Sequence, residues 1–594
     1  MNKHLYILIL VLFFAVGANA QDSTPTPTPT ATPTPTAEVK DVQNVKPDKL
    51  EGVPQIAPNY QSNDTTLPDL GLVGVDMMSQ KPLTLKEAIT LALENNKDIE
   101  VTRQNVRIAE FDLQSFRGVY EPRLSGQTYY ERATVPNVSV FSTNRTTTTG
   151  SIIGNASVQG YIPKFGTILS GTFSNNRVSS DNPISILSPQ YNSNLSLNIT
   201  QPLFRGRSFD QNRRNIEISK RNLSLTDTQF RQRTIEVISN VQRAYWDLVY
   251  ALRNLQVQRD GVRDAKEQLE HNKRLVEEGS LAPIDIVAAE TQVAVIEQGV
   301  YEALENVNRA SNVLKNLVSV NRNDSIWSES IVPTDSVEIE TPKTTLTEAL
   351  DLALKNRPEI QVNETQKEIN SIEQRFYREQ NKPQIDLTAS YGTSGIGGSQ
   401  NPNFRSPFSV ICDPQDPTYQ TCLQQQQQQQ INQQAFLQQI GGAGTTFTDI
   451  FANRYPTFRV GITFNIPLFG DKTSQALLGK SLVQGDQINT QRAQLEQAIQ
   501  VDVRNAIQSV RTSEARLRSA ALVRENSQKQ YESEQRKLDA GQSDIYKVLE
   551  RQTALINSRS NELRAQTELN KAIAELQRAT GNSLKANNVE ARLR

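Results

Sequence analysis

The segment VQRAYWDLVYALRNLQVQRDGVRDAKEQLEHNKRLV, residues 241–276, has an aliphatic side chain at every seventh position. A period of seven is typical of helices packed as a coiled coil, because it keeps one apolar stripe facing the partner helix. Gly279 and Pro283 then indicate a turn, since Gly commonly ends a helix and Pro is favoured in a first helical turn. The sequence therefore predicts a long antiparallel helical hairpin from about residue 207 to residue 319. Its two apolar stripes are Val241, Leu248, Leu255, Val262, Leu269 and Val276, then Ile286, Val293, Val300, Val307 and Leu314.

The same pattern returns near residue 500 and predicts a second hairpin that turns at Gly541. Two charged residues, Arg524 and Glu562, occupy positions of the seven-residue repeat where an apolar side chain is expected. The apolar positions are Val503, Val510, Leu517, Tyr531 and Leu538 before the turn, and Val548, Leu555, Leu569 and Leu576 after it.

Shorter motifs recur at a similar interval, so the chain contains two copies of one unit. The segment LKEAITLAL at 85–93 reappears as LTEALDLAL at 346–354, and Pro-Leu-Phe occurs at 202–204 and 467–469. Each copy is predicted to contain a helix, strands, a long helix, a turn and a returning helix, over residues 81–330 and 331–585, with a C-terminal tail at 586–594. Because the residue before proline is disfavoured in a helix, four prolines are predicted to mark the helix–strand junctions: Pro122, Pro202, Pro383 and Pro467.

Alternating apolar and polar residues predict strands around 195–199, 385–391 and 460–466. Strands of about ten residues are long enough to cross a bilayer when tilted, although the edge of a soluble sandwich is an alternative. Residues 152–173 also alternate and are either an extra hairpin or an extension of a strand. With about four strands per chain, an open sheet would leave unpaired backbone groups in lipid. Three copies are therefore predicted to close a 12-stranded outer-membrane β-barrel, continuous with a barrel of long coiled-coil helices.

Three other segments have distinctive compositions. Residues 1–20 combine a charged start, an apolar run and an Ala-x-Ala end, which predicts a secretory signal peptide rather than a membrane anchor. Residues 21–80 begin with a Thr-Pro repeat and are predicted to be a disordered spacer. Residues 395–455 form a Gln-rich insertion that we expect to be a poorly ordered surface loop. It contains Cys412 and Cys422, which in an exported chain form either one disulfide or two free thiols.

Composition argues against several functional classes. The net charge of −1 provides no strong field for nucleic acid. The two histidines are His4, in the predicted signal peptide, and His271, on a predicted helix, so Ser–His, Cys–His and His-based metal sites have almost no candidate residues. We therefore expect no catalytic site, no cofactor and no bound metal, and we predict that the protein is not an enzyme.

Taken together, the duplication, the Pro-Leu-Phe segments and the two glycine turns resemble the TolC-like outer-membrane efflux proteins over residues 83–585. This resemblance implies a homotrimer in outer-membrane lipid, mostly helical, with an α-helical tunnel through the periplasm. It implies a passive exit duct of a tripartite efflux or type I secretion system. The duct would dock to a periplasmic adaptor and to an inner-membrane pump of RND, ABC or MFS type. A periplasmic coiled-coil adaptor or scaffold is the alternative function.

The resemblance also assigns roles at the two hairpin turns. The residues expected to contact an adaptor are Gly279, Asp285 and Ile286 in the first copy, and Gly541 and Val548 in the second. Lys547 stands where the family pattern has an acid, which leaves Glu550, one helical turn further on, as the expected acidic residue of a pore constriction with Lys547. Ordinary helix capping is the alternative explanation for the glycines and Asp285. The exported substrate is not predicted.

Overall fold

The computed structural model describes residues 70–137, 145–336, 341–406, 412–415, 417–468 and 470–589. The predicted signal peptide, residues 21–69 of the predicted spacer and residues 590–594 of the predicted tail lie outside the described part of the chain. Two short 3-10 turns occur at Gly118–Tyr120 and Ser325–Trp327. The first repeat contains β1 (Asp76–Leu83), α1 (Leu85–Asn95), α2 (Lys97–Arg117), β2 (Arg123–Pro136), β3 (Thr146–Ile162), β4 (Thr167–Ser180), β5 (Leu187–Pro202), α3 (Gln211–Glu277) and α4 (Pro283–Val318).

The second repeat has the same plan with fewer strands and a longer insertion. A four-residue helix, α11 (Ser583–Ala586), crosses the predicted boundary between this repeat and the tail. Among the described residues, none of the helices has both the length and the apolar composition that crossing a membrane requires. In order, the elements are β6 (Glu329–Pro333), α5 (Leu346–Asn356), α6 (Pro358–Gln380), β7 (Gln384–Gln400), α7 (Tyr419–Ile440), α8 (Thr445–Phe451), β8 (Tyr455–Asn465), α9 (Lys472–Asp539) and α10 (Ile545–Ala579).

The two long hairpins form where the seven-residue pattern predicts them. Helix α3 has 67 residues and α9 has 68, so each is about 100 Å long at 1.5 Å per residue. The apolar stripes are buried between the paired helices, as Val241, Leu314 and Val503 illustrate. The hairpins also pack against each other along α3 and α10, where Ile556 joins the cluster formed by Val262 and Val293.

The two charged residues that interrupt the second pattern are partners. The Nε atom of Arg524 on α9 lies 2.6 Å from Oε2 of Glu562 on α10, and both side chains are partly shielded from solvent. An ion pair across the seam therefore replaces one apolar layer of the hairpin, and neither charge is left uncompensated.

A small parallel sheet, which the sequence does not predict, lies beside the middle of the helices. Strand β1 pairs with β6, so Asp76–Leu83 belongs to the folded structure and the disordered spacer predicted for 21–80 does not extend through its last residues. The buried Tyr245 of α3 secures this region, because its hydroxyl lies 2.5 Å from Oδ2 of Asp335 and 3.1 Å from the carbonyl of Leu83. Burial raises the pKa of Tyr245, and the Asp335 carboxylate raises it further, which keeps the phenol protonated.

Within the described part of the chain, the main sheet has six strands in the order β2-β3-β4-β5-β7-β8. All neighbouring pairs are antiparallel. The expected count of about four strands per chain is therefore wrong for this sheet, while the twelve-stranded barrel of three copies stays a prediction. Residues 152–173 belong to β3 and β4, an extra hairpin. The sequence left this open because alternation alone does not separate a new hairpin from a longer strand.

The Gln-rich insertion is also more regular than expected. Instead of a poorly ordered loop, it contains the end of β7, helix α7 and helix α8. Glutamine has a good helix propensity, so a run of Gln can form a helix without an apolar stripe. Cys412 and Cys422 form a disulfide across the start of α7. Helix α8 packs on β7 at Gly395, where an added Cβ would lie 2.0 Å from the carbonyl oxygen of Thr446.

Candidate functional site

One face of the six-stranded sheet is apolar, and it is open except where α8 packs across β5 and β7 and its Phe447 stacks on Phe173 of β4. The alternation along β8 places Phe458, Val460, Ile462 and Phe464 on this face, and Ile462 and Phe464 are 63% and 71% exposed. Exposed apolar surface of this extent marks a contact with lipid or with another apolar surface. The other strands contribute Leu124, Tyr130, Ile152, Val158, Leu169, Phe173, Leu195, Leu197, Ile199, Leu387 and Tyr391 to the same face.

The opposite face is polar. The strand register brings Thr388 of β7 and Thr463 of β8 to this side, together with Ser196 and Asn198 of β5. Hydroxyl and amide groups of this kind remain solvated, so this face suits contact with water. A sheet with one lipid-compatible and one water-compatible face has the chemistry of the wall of an aqueous pore through a membrane.

The two outer strands of this sheet, β2 and β8, are each paired on one side only within the described part of the chain. Their free backbone N–H and C=O groups would be unsatisfied in lipid, at a cost of several kcal/mol each. Such edges are a template for pairing with another chain. The wall is therefore incomplete in one copy.

The four prolines lie between strands and helices. Pro122 immediately precedes β2, Pro202 ends β5, Pro383 immediately precedes β7, and Pro467 follows β8. The long helices that leave the sheet are capped by carboxylates, since Asp210 accepts from the Arg213 N–H at 2.8 Å and Asp471 accepts from the Ser474 N–H at 3.0 Å. A hydrogen bond from the Ser474 hydroxyl and one from its N–H lower the pKa of Asp471, so the cap stays ionised.

The two hairpin turns have the same backbone geometry. Gly279 and Gly541 have φ of 77° and 68°, the left-handed conformation that favours Gly. The N–H groups of Gly279 and Ser280 donate to Val276 and Leu275, and Gly541 and Gln542 donate in the same way to Leu538 and Lys537. This is the Schellman motif, so both turns end their long helices by one mechanism.

Carboxylates cap the returning helices at both turns, but from different positions. The Asp285 carboxylate accepts from the N–H of Ala282 at 3.1 Å. In the second turn, Asp544 accepts from the N–H of Lys547 at 3.1 Å, and the Lys547 ammonium lies 2.9 Å from its other oxygen. The Lys547 side chain lowers the pKa of Asp544, and the helix N–H lowers it further. Lys547 is thus half of an ion pair at the helix start.

Val548 does not lie on the surface of the tip. It is 0% exposed and packs with Leu538, Ile545 and Leu549 in a small cluster. In this structure it joins the arms of the second hairpin and offers no surface to a partner. Beside this cluster, an open groove of about 480 Å³ runs between α4 and α10. Its lining includes Ile284, Tyr546 and Glu550.

A polar contact links the two hairpins close to their turns. The Nε2 atom of His271 on α3 lies 2.9 Å from Oδ1 of Asp539 on α9, and the Gln535 amide donates to Gln268 at 3.2 Å. Neither heptad pattern predicts this contact, because heptads report the partner within a hairpin and not the pairing of α3 with α9. Among the described residues, no cluster of His, Cys, Asp or Glu is arranged to hold a metal ion.

A family model described as "Outer membrane efflux protein" matches residues 88–319 and 349–582, one match in each repeat. The chain belongs to the outer membrane efflux protein family. This family consists of channels rather than enzymes. The efflux protein is therefore an exit duct of an efflux system in the outer membrane, with its helical part in the periplasm. The alternative function of a periplasmic adaptor or scaffold is not supported.

Solved structures of outer-membrane proteins share the fold of this efflux protein. The CmeC channel of Campylobacter jejuni aligns with a TM-score of 0.58 at 15% identity, covering 85% of this chain and 90% of CmeC. VceC of Vibrio cholerae aligns with a TM-score of 0.55 at 13% identity, covering 84% and 96%. The open state of the MtrE channel of Neisseria gonorrhoeae aligns with a TM-score of 0.53 at 16% identity, covering 84% and 89%. No curated protein sequence matches the chain.

Proposed function

We propose that the efflux protein works as a homotrimer whose three sheets close one membrane-spanning β-barrel. The free edge of β8 in one copy pairs with the free edge of β2 in the next copy, which satisfies the backbone groups that lipid would leave unpaired. The apolar face then contacts lipid and the polar face contacts water. The observation that carries this proposal is one sheet with an exposed apolar face, a polar face and two unpaired edges.

The helical hairpins continue the duct into the periplasm. Gln491, Gln494 and Gln497 are exposed on α9, so this part of the wall can be solvated. The duct performs no chemistry and passes solutes that a pump in the inner membrane delivers to it. Selectivity then depends on the width and the charge of the tunnel.

The turns of the hairpins are the proposed docking surface for a periplasmic adaptor. Gly279 and Gly541 are exposed at the turns, and Ile286 is half-buried beside the groove between α4 and α10. Ile284 and Tyr546 expose apolar surface in that groove, as expected for a surface that receives a helical partner. Val548 is buried next to this groove and packs against Leu549, one of the residues that line it.

Glu550 is the proposed acidic residue of the constriction; it lines the same groove as Ile284 and Tyr546, so the Glu550 side of the groove is proposed to face the tunnel. Its side chain is exposed near the turn, whereas the charge of Lys547 is compensated by Asp544. Three copies would bring three Glu550 carboxylates to one level of the tunnel, which favours cations.

Two measurements test the proposed duct. Detergent-solubilised protein should have the mass of a trimer and should conduct ions in planar bilayers; a monomer that does not conduct would refute the proposal. The Glu550→Ala variant should have reduced cation selectivity. The matched control is Glu532→Ala, which removes an exposed acid from the other arm of the hairpin, α9. Equal selectivity in the wild-type protein and the Glu550→Ala variant would remove Glu550 from the constriction.

A further inference from the structure

The hairpin β3–β4 is an uninterrupted part of the main sheet. Pairing of β2 with β3 runs from Arg123↔Gln159 to Pro136↔Thr146 without a register shift. Pairing of β3 with β4 and of β4 with β5 is equally regular. Strand β3 has 17 residues and β4 has 14, which is enough to cross a bilayer. The hairpin is therefore built like the strands on either side of it.

The turn of this hairpin is fastened to the start of the long helix α3. The Arg213 guanidinium donates to the carbonyl of Lys164 in the turn at 3.5 Å and to the carbonyl of Gly206 at 2.7 Å. It also donates to Oδ2 of Asp210, the residue that caps α3, at 3.0 Å. One side chain thus joins the turn, the segment after β5 and the helix cap. The turn lies at the helical side of the sheet, level with the end of β5.

The faces of the hairpin match those of its neighbours. Ile152, Val158 and Leu169 lie on the apolar face and are 44%, 48% and 38% exposed, and this face becomes polar only at Asn175 and Arg177, at the end of β4 away from the turn. On the other face uncharged polar side chains predominate, with Ile153, Ile168 and Val178 among them: Asn155, Ser157, Ser170, Thr172 and Ser174. In a hairpin surrounded by water, an aligned row of exposed apolar side chains would be unfavourable, whereas lipid would cover it.

We propose that β3 and β4 are strands of the membrane wall, so each copy contributes six strands and the trimer forms an eighteen-stranded barrel. This inference rests on the proposed trimeric duct. Because barrel diameter grows roughly linearly with strand number, the bore is about 1.5 times as wide as with four strands per copy. The added wall is lined mainly by neutral hydroxyl and amide groups, and no charged side chain of β3 or β4 lies on it. The membrane part of the duct therefore admits bulky hydrophilic solutes and discriminates by size rather than charge.

Tryptophan fluorescence in vesicles of brominated lipid tests the position of the hairpin. Trp placed by Val158→Trp should be quenched by the lipid, and Trp placed by Ser157→Trp, on the other face, should not. The native Trp246 and Trp327 lie in the helical part and give a constant background. The control pair on β8 is Ile462→Trp and Thr463→Trp.

The outcomes separate the two proposals. Quenching at 158 and 462, but not at 157 and 463, supports both. Quenching at 462 alone places the hairpin outside the membrane and overturns the wide barrel, while the trimeric duct stands. Absence of quenching at both 158 and 462 overturns the duct itself.

Bore width is tested by deleting residues 146–180, which leaves β2 and β5 antiparallel neighbours. The largest polyethylene glycol that enters from the outer side and lowers the conductance should become smaller in the deletion variant. An unchanged size limit in a folded, conducting variant would overturn the inference. If the deletion variant does not assemble, the lipid quenching of the Ser157→Trp and Val158→Trp variants tests whether the hairpin lies in the membrane wall.

Discussion

The ion pair between Arg524 and Glu562 provides a quantitative test of the coiled-coil packing. In the structure it replaces one apolar layer of the second hairpin, with a separation of 2.6 Å and side-chain exposures of 41% and 24%. Fully exposed pairs contribute about 0.2–1 kcal/mol, whereas removing one partner of a buried pair costs about 3–5 kcal/mol. For this partly shielded pair we expect either Arg524→Leu or Glu562→Leu to destabilise the hairpin locally by about 1–2 kcal/mol.

The double variant should behave differently. Leu at both positions restores the apolar repeat and leaves no unpaired charge, and replacing a shielded ion pair by packed apolar side chains is often neutral or stabilising. Amide hydrogen exchange in the helical turns of α9 and α10 that contain residues 524 and 562 reports the free energy of local opening. Each single variant should speed exchange by about 5–30-fold, the factor that 1–2 kcal/mol produces, and the double variant should restore or exceed wild-type protection.

Arg518 provides the matched control, because it forms an exposed pair with Glu514 on the same helix. Arg518→Leu should change exchange by less than about threefold, as expected for an exposed i,i+4 pair. If the double variant exchanges faster than both single variants, residues 524 and 562 do not form a layer of the seam, and our account of the hairpin is wrong.

Three further predictions concern the contact of α8 with β7, the small parallel sheet of β1 and β6, and the turn at Gly541. Gly395→Ala should displace α8, because the added Cβ would lie 2.0 Å from the Thr446 carbonyl oxygen, and limited proteolysis should cut the 401–454 segment faster than in the wild-type protein. Tyr245→Phe should destabilise the region around β1 and β6 by about 1–3 kcal/mol, since Asp335 loses a hydrogen bond to a charged acceptor, and exchange of the β1 amides should rise accordingly. Because the pKa of Asp544 is lowered in the folded state, its stabilisation of α10 is present above the ordinary pKa of Asp and is lost as pH falls below about 4. Amide exchange in the first turn of α10 should therefore become less protected at acid pH, after correction for the intrinsic effect of pH on exchange. The Asp544→Asn variant should not show this acid-induced loss of protection.

The helical part of the fold could be predicted from the sequence because its signal is periodic and long. The stripe from Val241 to Val276 and the turn at Gly279 locate α3 and its end closely. The charged interruptions at Arg524 and Glu562 were visible, but their pairing was not, because a heptad pattern does not give the register of two antiparallel arms. For the same reason, the contact of His271 with α9 could not be predicted from the heptads.

The sheet could be predicted only in part. Strands β5, β7 and β8 have clear alternation, whereas on the apolar face of β3 Gly154 and Gly160 interrupt the pattern. Strand β1 pairs in parallel with β6, about 250 residues away, and no local pattern reports a pairing of that range. Near the turns, a motif identified Val548 but not its burial, because burial depends on how the arms pack.

Inter-protomer disulfide cross-linking tests most directly the central claim that three copies share one closed wall. In a Cys412→Ser, Cys422→Ser background, Thr463→Cys on β8 is combined in turn with Ser125→Cys, Gln127→Cys and Tyr129→Cys on β2, all on the polar face. The account predicts that the combination in matching register yields a covalent trimer on a non-reducing gel, while each single variant does not. If every combination stays monomeric, or if linking stops at a dimer, the edges do not close the barrel and the account is contradicted.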